Sequence, residues 1–192
     1  MNALTRQARR FRDQEDGLVM TEFLIMLPLL VWTFMALFIY WDAFRTINQS
    51  QKAAYSVSDL ISRQSTIDTT FVNGMQTVTE YLLNDSTNVK LRITSIKYDE
   101  DSDQFAVLFS RSPGNKFPQL TNANVNLATY RDRIPIMADQ HSVVIVETEV
   151  AYDPAFEVGI PNHNFDNFIV TRPRFDPQVC FTAVPCPSII RL

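Results

Sequence analysis

The sequence predicts an α+β protein in which a single N-terminal transmembrane helix extends into a long amphipathic stem and carries a small head of antiparallel sheet packed on helix. Apolar residues are concentrated near the N-terminus of the 192-residue chain. Helical spacing of apolar residues follows them, and beyond residue 84 it gives way to the two-residue period of strands. The length allows one domain of ordinary size and a membrane element.

The segment from Phe23 to Trp41, here called the apolar segment, contains nineteen residues and no charge. A helix of that length, rising about 1.5 Å per residue, crosses the hydrocarbon core of a bilayer. Tyr40 and Trp41 stand at its far end, where aromatic side chains meet a membrane surface. Core helices of soluble proteins are rarely so long and apolar, and no secretory cleavage site follows. We therefore predict a transmembrane helix over residues 18–41.

Charges at the two ends of this segment predict its orientation. Four arginines lie between residues 6 and 12, whereas only Arg45 and Lys52 follow nearby. The positive-inside rule places the N-terminus in the cytoplasm and the chain after Asp42 in the periplasm of a bacterium. The expected location is therefore the inner membrane, with a single pass and a periplasmic C-terminal domain.

The two cysteines, Cys180 and Cys186, both fall in the exported part. Disulfides persist in the periplasm, and Pro185 bends the short segment between the two thiols. A C-x5-C pair without a nearby histidine is a weak pattern for a metal or redox site. We predict a disulfide, which would constrain the unfolded chain by about 2 kcal/mol.

A carboxylate lies at the cytoplasmic end of the predicted span. Glu22 has apolar neighbours on both sides, and an acid well inside a span costs about 2.5–3.5 kcal/mol on insertion scales. Such a residue normally has a partner and a function. Alternatively, Glu22 lies at the interface, as an acid that the dipole of the helix N-terminus favours. Position alone leaves both interpretations open.

The residues around Glu22 resemble the processing site of type IV prepilins. Gly17, four further residues, Glu22 and Phe23 are similar to the motif of the Flp-type, tight-adherence (Tad) branch. The resemblance implies that a prepilin peptidase cuts between Gly17 and Leu18. It also implies that Glu22 then faces the free ammonium of Leu18 on an adjacent subunit. Pairing lowers the cost of both charges in a low-dielectric setting.

The resemblance extends to Pro28, which removes a helical hydrogen bond to the Leu24 carbonyl. TadE-like minor pilins commonly carry this order of glycine, glutamate-aromatic and proline, and often end in a strand similar to residues 168–175. Three acids between residues 13 and 16 depart from the otherwise basic leader. Because major Flp-type pilins are far shorter, the resemblance implies a minor or priming subunit. Its implied partners are the prepilin peptidase, other pilin subunits and the inner-membrane assembly platform.

Helical spacing continues beyond the apolar segment. One stripe predicts an unbroken helix over 18–63, roughly 70 Å long, and Asp68 is expected to cap a second helix. The predicted stripes are Phe44, Ile47, Ala54, Val57 and Ile61 in the first helix, and Phe71, Met75, Val78 and Leu82 in the second.

Four segments with the two-residue period predict an antiparallel sheet. They are Leu91–Tyr98, Gln104–Ser110, Ser142–Tyr152 and Asn167–Arg174, and residues 112–140 are expected to form a long loop with a short turn. The predicted organisation is a cleaved leader (1–17), a span (18–41), stem and second helix (42–83), and a β-rich head (84–192).

No residue pattern in the sequence indicates catalysis. Asp99, Asp101 and Asp103 have the opening spacing of a calcium loop, but the glycine and glutamate that such a loop needs are missing, so a polar hairpin turn is predicted. His141 and His163 lie 22 residues apart without a metal motif. We expect no enzyme activity, metal, cofactor or small-molecule substrate. A net charge of −4 without a basic block argues against nucleic acid.

A second hypothesis is an uncleaved single-pass membrane protein whose periplasmic head binds a partner or an envelope component. Glu22 separates the two hypotheses, because only the first gives its carboxylate a function.

Overall fold

The α+β class is confirmed by the computed structural model, which describes residues 16–83, 89–156 and 158–186, with side chains from residue 19. The described residues divide into two compact units, one formed by residues 16–42 with 154–156 and 158–161, the other by 43–83, 89–153 and 162–186. The helices are α1 (Asp16–Ser62), α2 (Thr69–Leu83), α3 (Asn122–Val125) and α4 (Ala128–Arg131). The strands are β1 (Thr66–Ile67), β2 (Val89–Asp99), β3 (Gln104–Arg111), β4 (Ser142–Tyr152), β5 (His163–Thr171) and β6 (Cys180–Phe181).

Helix α1 runs without interruption for 47 residues and includes Pro28. Its ends lie within two residues of the predicted helix. The stem stripe is buried at Ala54, Val57 and Ile61, but Phe44 is 62% exposed and was wrongly assigned to it. The buried side runs instead through Ala43 and Ser50, because steps of seven residues to Ser50 and on to Val57 keep to one side of a helix.

Helix α2 begins as predicted, since the Phe71 N–H donates to Asp68 Oδ1 at 2.7 Å. Its buried side is rotated from the predicted one and consists of Val72, Met75, Gln76 and Thr79. Leu82 is 42% exposed, so its assignment to the packed side was wrong. The rotation brings Gln76 Nε2 to the Val89 carbonyl at 2.8 Å, which satisfies a buried acceptor at the start of β2.

The main sheet is antiparallel, with the strand order β3-β2-β4-β5. All four predicted strands are present, although β5 starts at His163 and ends at Thr171, earlier than predicted. The two-residue strands β1 and β6 form a separate parallel pair. Strands this short carry no period that sequence analysis could detect.

Both sides of this sheet are covered. Val144 and Val146 belong to a core with Val57 and Ile61 of α1 and Val72 of α2. The alternate residues Val143 and Ile145 point to the opposite side, where they pack with Val125, Ile134 and Met137. Residues 112–140 are therefore not the simple loop we expected. They contain α3 and α4 and form a second layer on the sheet.

The outer edge of β3 is closed by two side-chain amides. Asn126 Oδ1 accepts from the Phe105 N–H at 2.8 Å while its Nδ2 donates to the Phe105 carbonyl at 2.8 Å. Asn122 Oδ1 accepts from the Val107 N–H at 2.7 Å. Because exposed strand edges invite pairing with other chains, these amides protect one edge of the sheet.

Candidate anchoring and assembly site

The predicted processing and assembly residues lie in the first turns of α1. Gly17 and Leu18 are helical, and Glu22 and Phe23 follow within the same helix. Glu22 and Phe23 are both exposed. Residues 18 and 22 are four apart, so they lie on the same side of the helix, about 6 Å along its axis. Among the residues whose side chains are described, Glu22 has no ion-pair partner.

The apolar segment of α1 directs most of its side chains away from the protein. Ile25 and Phe34 are at least 70% exposed. Only 6% of the most apolar 18-residue stretch is buried, whereas the core helix of a soluble protein is mostly buried. Among the described residues, α1 is the one helix long and apolar enough to cross a membrane.

Two polar groups of the apolar segment, the Thr33 hydroxyl and the Leu24 carbonyl, differ in whether the helix itself satisfies them. The Thr33 hydroxyl donates to the Leu29 carbonyl at 2.8 Å, so it needs no water molecule or partner chain. Pro28 lies inside the helix and has no N–H to donate to the Leu24 carbonyl. That carbonyl is the point where the backbone of the segment loses a regular hydrogen bond.

Cys180 and Cys186 belong to the other unit, where they form a disulfide with Cα atoms 5.6 Å apart. The first cysteine lies in β6, where the Cys180 N–H donates to the Ser65 carbonyl at 2.9 Å. Phe181 is buried in the same core as Ile61 and Val146. The disulfide therefore closes a terminal loop whose start is fixed to the head.

The most buried charges in the described chain were not singled out by sequence analysis. Arg92 Nε and Nη2 each lie 2.7 Å from a different carboxylate oxygen of Glu147. Arg92 Nη2 also donates to the Tyr130 hydroxyl at 2.8 Å, and Nη1 donates to the Pro118 carbonyl at 2.5 Å. Burial lowers the pKa of Arg92, but the contacts with Glu147 and Tyr130 outweigh it and leave that pKa above its usual value. The only sequence signal was the presence of charged residues within two predicted strands, Arg92 with Lys97 in one and Glu147 with Glu149 in the other.

The aspartate cluster forms the β2–β3 hairpin turn, as predicted. Asp103 Oδ1 accepts from the Tyr98 hydroxyl at 2.8 Å and pairs with Arg131. The hydrogen bond from Tyr98 and then that from Arg131 lower the pKa of Asp103 below its usual value. These partners occupy the carboxylate that a calcium loop would need.

The two histidines lie apart in the sheet unit. His141 contacts Arg172, and His163 begins β5 with its ring centroid 5.7 Å from that of Phe165. Within the described part of the chain, no three His, Cys, Asp or Glu side chains are grouped to hold a metal ion.

Comparisons with known proteins give no match to a protein-family model, a curated protein or a solved structure.

Proposed function

We propose that this chain is a TadE-like minor pilin or pseudopilin, anchored in the inner membrane by α1 and cut by a prepilin peptidase between Gly17 and Leu18. In this proposal it takes part in the assembly or initiation of a Tad/Flp-type pilus, and it is not an enzyme. The N-terminus lies in the cytoplasm, and the sheet-bearing unit lies in the periplasm.

The observation that carries the proposal is the position of Glu22 within α1. Its exposed carboxylate lies one turn after Leu18 and directly before nineteen uncharged residues. A charge in this position is costly in a membrane unless it is paired. A new N-terminal ammonium at Leu18 of an adjacent subunit would supply the missing positive charge.

Continuity of α1 supports a structural function. One helix contains the processing motif, the apolar segment and the stem packed on the sheet. On the stem, Phe44 and Tyr55 are each 62% exposed and lie eleven residues apart, about three turns, so they share one side of the helix. These aromatic side chains provide a surface for another pilin subunit.

The direct test is the N-terminal residue of protein recovered from membranes. With an active prepilin peptidase, the mature chain should begin at Leu18, and Gly17→Arg should leave the full-length form, because a long side chain cannot enter a subsite shaped for glycine. Gln14→Arg adds the same charge three residues earlier and should be processed normally. A chain that retains Met1 beside the active peptidase would disprove processing.

One structural feature, a polar recess at the edge of the sheet, favours the uncleaved-anchor hypothesis. A polar recess of about 670 Å³ lies where β4 ends and β5 begins, and Asp153, His163 and Asp166 are among its lining residues. Such a recess offers hydrogen-bonding groups to a partner or an envelope component. Two results together would favour this second function: the chain is recovered unprocessed, and its deletion leaves the number of pili per cell unchanged.

A further inference from the structure

The connection between β4 and β5 is unusually apolar for a surface loop. Residues 154–161 read Pro-Ala-Phe-Glu-Val-Gly-Ile-Pro, with a single charged residue and a proline at each end. Surface connections are normally rich in polar residues and glycine. The residues just outside the prolines, Asp153 and Asn162, are exposed and polar. The apolar character is therefore confined to the loop itself.

This loop belongs to the same compact unit as the apolar segment of α1. A Cβ atom placed on Gly159 would lie 3.5 Å from the hydroxyl oxygen of Tyr40, so the loop backbone lies against the last turns of that segment. Ile39 is fully buried between exposed neighbours, and Val158 is 8% exposed. Gly159 has φ +92°, a backbone conformation that favours glycine.

The position of this contact along α1 sets the depth of the loop. Tyr40 and Trp41 end the apolar segment, where aromatic residues meet the headgroup layer if α1 crosses the membrane. A loop packed against Tyr40 then lies at the same level. Phe156 is 49% exposed, which leaves about half of an aromatic ring to meet whatever surrounds α1 at that depth.

We propose that the described residues of this loop, 154–156 and 158–161, form a second membrane contact, with Phe156 in the boundary between headgroups and acyl chains of the outer leaflet. This inference rests on the proposed membrane crossing of α1. The occupant is lipid because the surface is continuous with the apolar segment, and a phenylalanine gains most from a site that removes its ring from water. The two prolines restrict the loop backbone and reduce the entropy lost on insertion.

The test places an environment-sensitive fluorophore at single cysteines in the full chain. The native cysteines are joined, so under non-reducing conditions only the introduced thiol reacts. The variants are Phe156→Cys at the loop, Ala155→Cys as a second loop position, Val31→Cys in the apolar segment and Phe175→Cys as an exposed aromatic position in the other unit. Each is reconstituted in phosphatidylcholine vesicles with or without acyl-chain bromine, a short-range quencher.

Labels at residues 156 and 31 should both lose emission in brominated vesicles, whereas the label at 175 should not. Bromine near the carbonyl end of the chain should quench position 156 more than bromine near the methyl end, with the reverse at position 31. If only the label at position 31 is quenched, and both loop labels stay as bright as the label at position 175, the loop does not contact the membrane although α1 crosses it. Equal quenching at 156 and 175 would also refute it, and an unquenched position 31 would refute the crossing itself.

Discussion

Arg92 and Glu147 face each other in register across β2 and β4 and form a buried two-point ion pair. The same guanidinium reaches Tyr130 and the Pro118 carbonyl in the layer formed by residues 112–140. The Arg92 guanidinium thus donates to three groups of the head: the Glu147 carboxylate, the Tyr130 hydroxyl and the Pro118 carbonyl. The pair therefore joins the sheet to its second layer.

Removing one partner of this pair should destabilise the head strongly. Glu147→Ala leaves an uncompensated buried guanidinium, for which the expected loss is about 3–5 kcal/mol in the free energy of unfolding. Thermal unfolding of the detergent-solubilised chain, followed by near-UV circular dichroism, measures the change.

The neighbouring cross-strand pair supplies the control. Lys90 and Glu149 are also in register, 2.6 Å apart, but the Lys90 side chain is 43% exposed. Glu149→Ala should cost at most about 1 kcal/mol, because the Lys90 ammonium that remains is in contact with water and is not left as a buried charge. Equal losses for the two alanine variants would contradict the structural function assigned to Arg92.

The disulfide should be present in exported protein. Under non-reducing conditions the intact mass should be two hydrogens below that of the reduced chain, with Cys180 and Cys186 in one linked peptide. Replacing both cysteines by serine should cost about 2 kcal/mol through the unfolded state. Two free thiols in periplasm-exposed protein would remove the disulfide and weaken the predicted orientation.

Asp103 should make the head sensitive to acid. Its folded pKa is lowered by Tyr98 and Arg131, so its stabilising contribution is complete above the unfolded pKa and disappears as pH falls through the folded pKa. The affected range lies below about pH 4, the ordinary value for aspartate. Asp103→Asn should flatten the dependence of the unfolding midpoint on pH in this range. A slope that Asp103→Asn does not alter would show that these contacts are not maintained in solution.

Glu22 should serve assembly and not folding. Glu22→Ala removes a carboxylate that costs up to about 2.5–3.5 kcal/mol inside a bilayer, so membrane insertion should be unchanged or slightly improved. Pairing with the Leu18 ammonium of a neighbour should be lost, which leaves normal amounts of mature protein and few or no pili. The measurements are pilus number by electron microscopy and an immunoblot for the mature form.

Glu22→Asp keeps the charge but shortens its reach by one methylene, so piliation should be intermediate. Wild-type piliation of the Glu22→Ala strain would identify the carboxylate as an ordinary interface acid, and the uncleaved-anchor function would then be favoured.

Local patterns were sufficient for the elements whose cause is local. A long uncharged stretch followed by helical spacing predicted α1 to within two residues of its observed ends, and Asp68 predicted the start of α2 because a cap acts within one turn. Alternation of apolar residues predicted four strands, since side chains of a strand point alternately to two sides. These signals need no information from distant residues.

Long-range packing decided the rest. The exposure of Phe44 and Leu82 depends on how each helix is rotated about its axis against the sheet. Apolar residues at helical spacing do not determine this rotation to better than about one residue position. Residues 112–140 became a packed layer because the second side of the sheet had apolar side chains to bury. Arg92 and Glu147 lie 55 residues apart in sequence, and only the strand register brings them together, because register is a property of two strands and is encoded in neither alone.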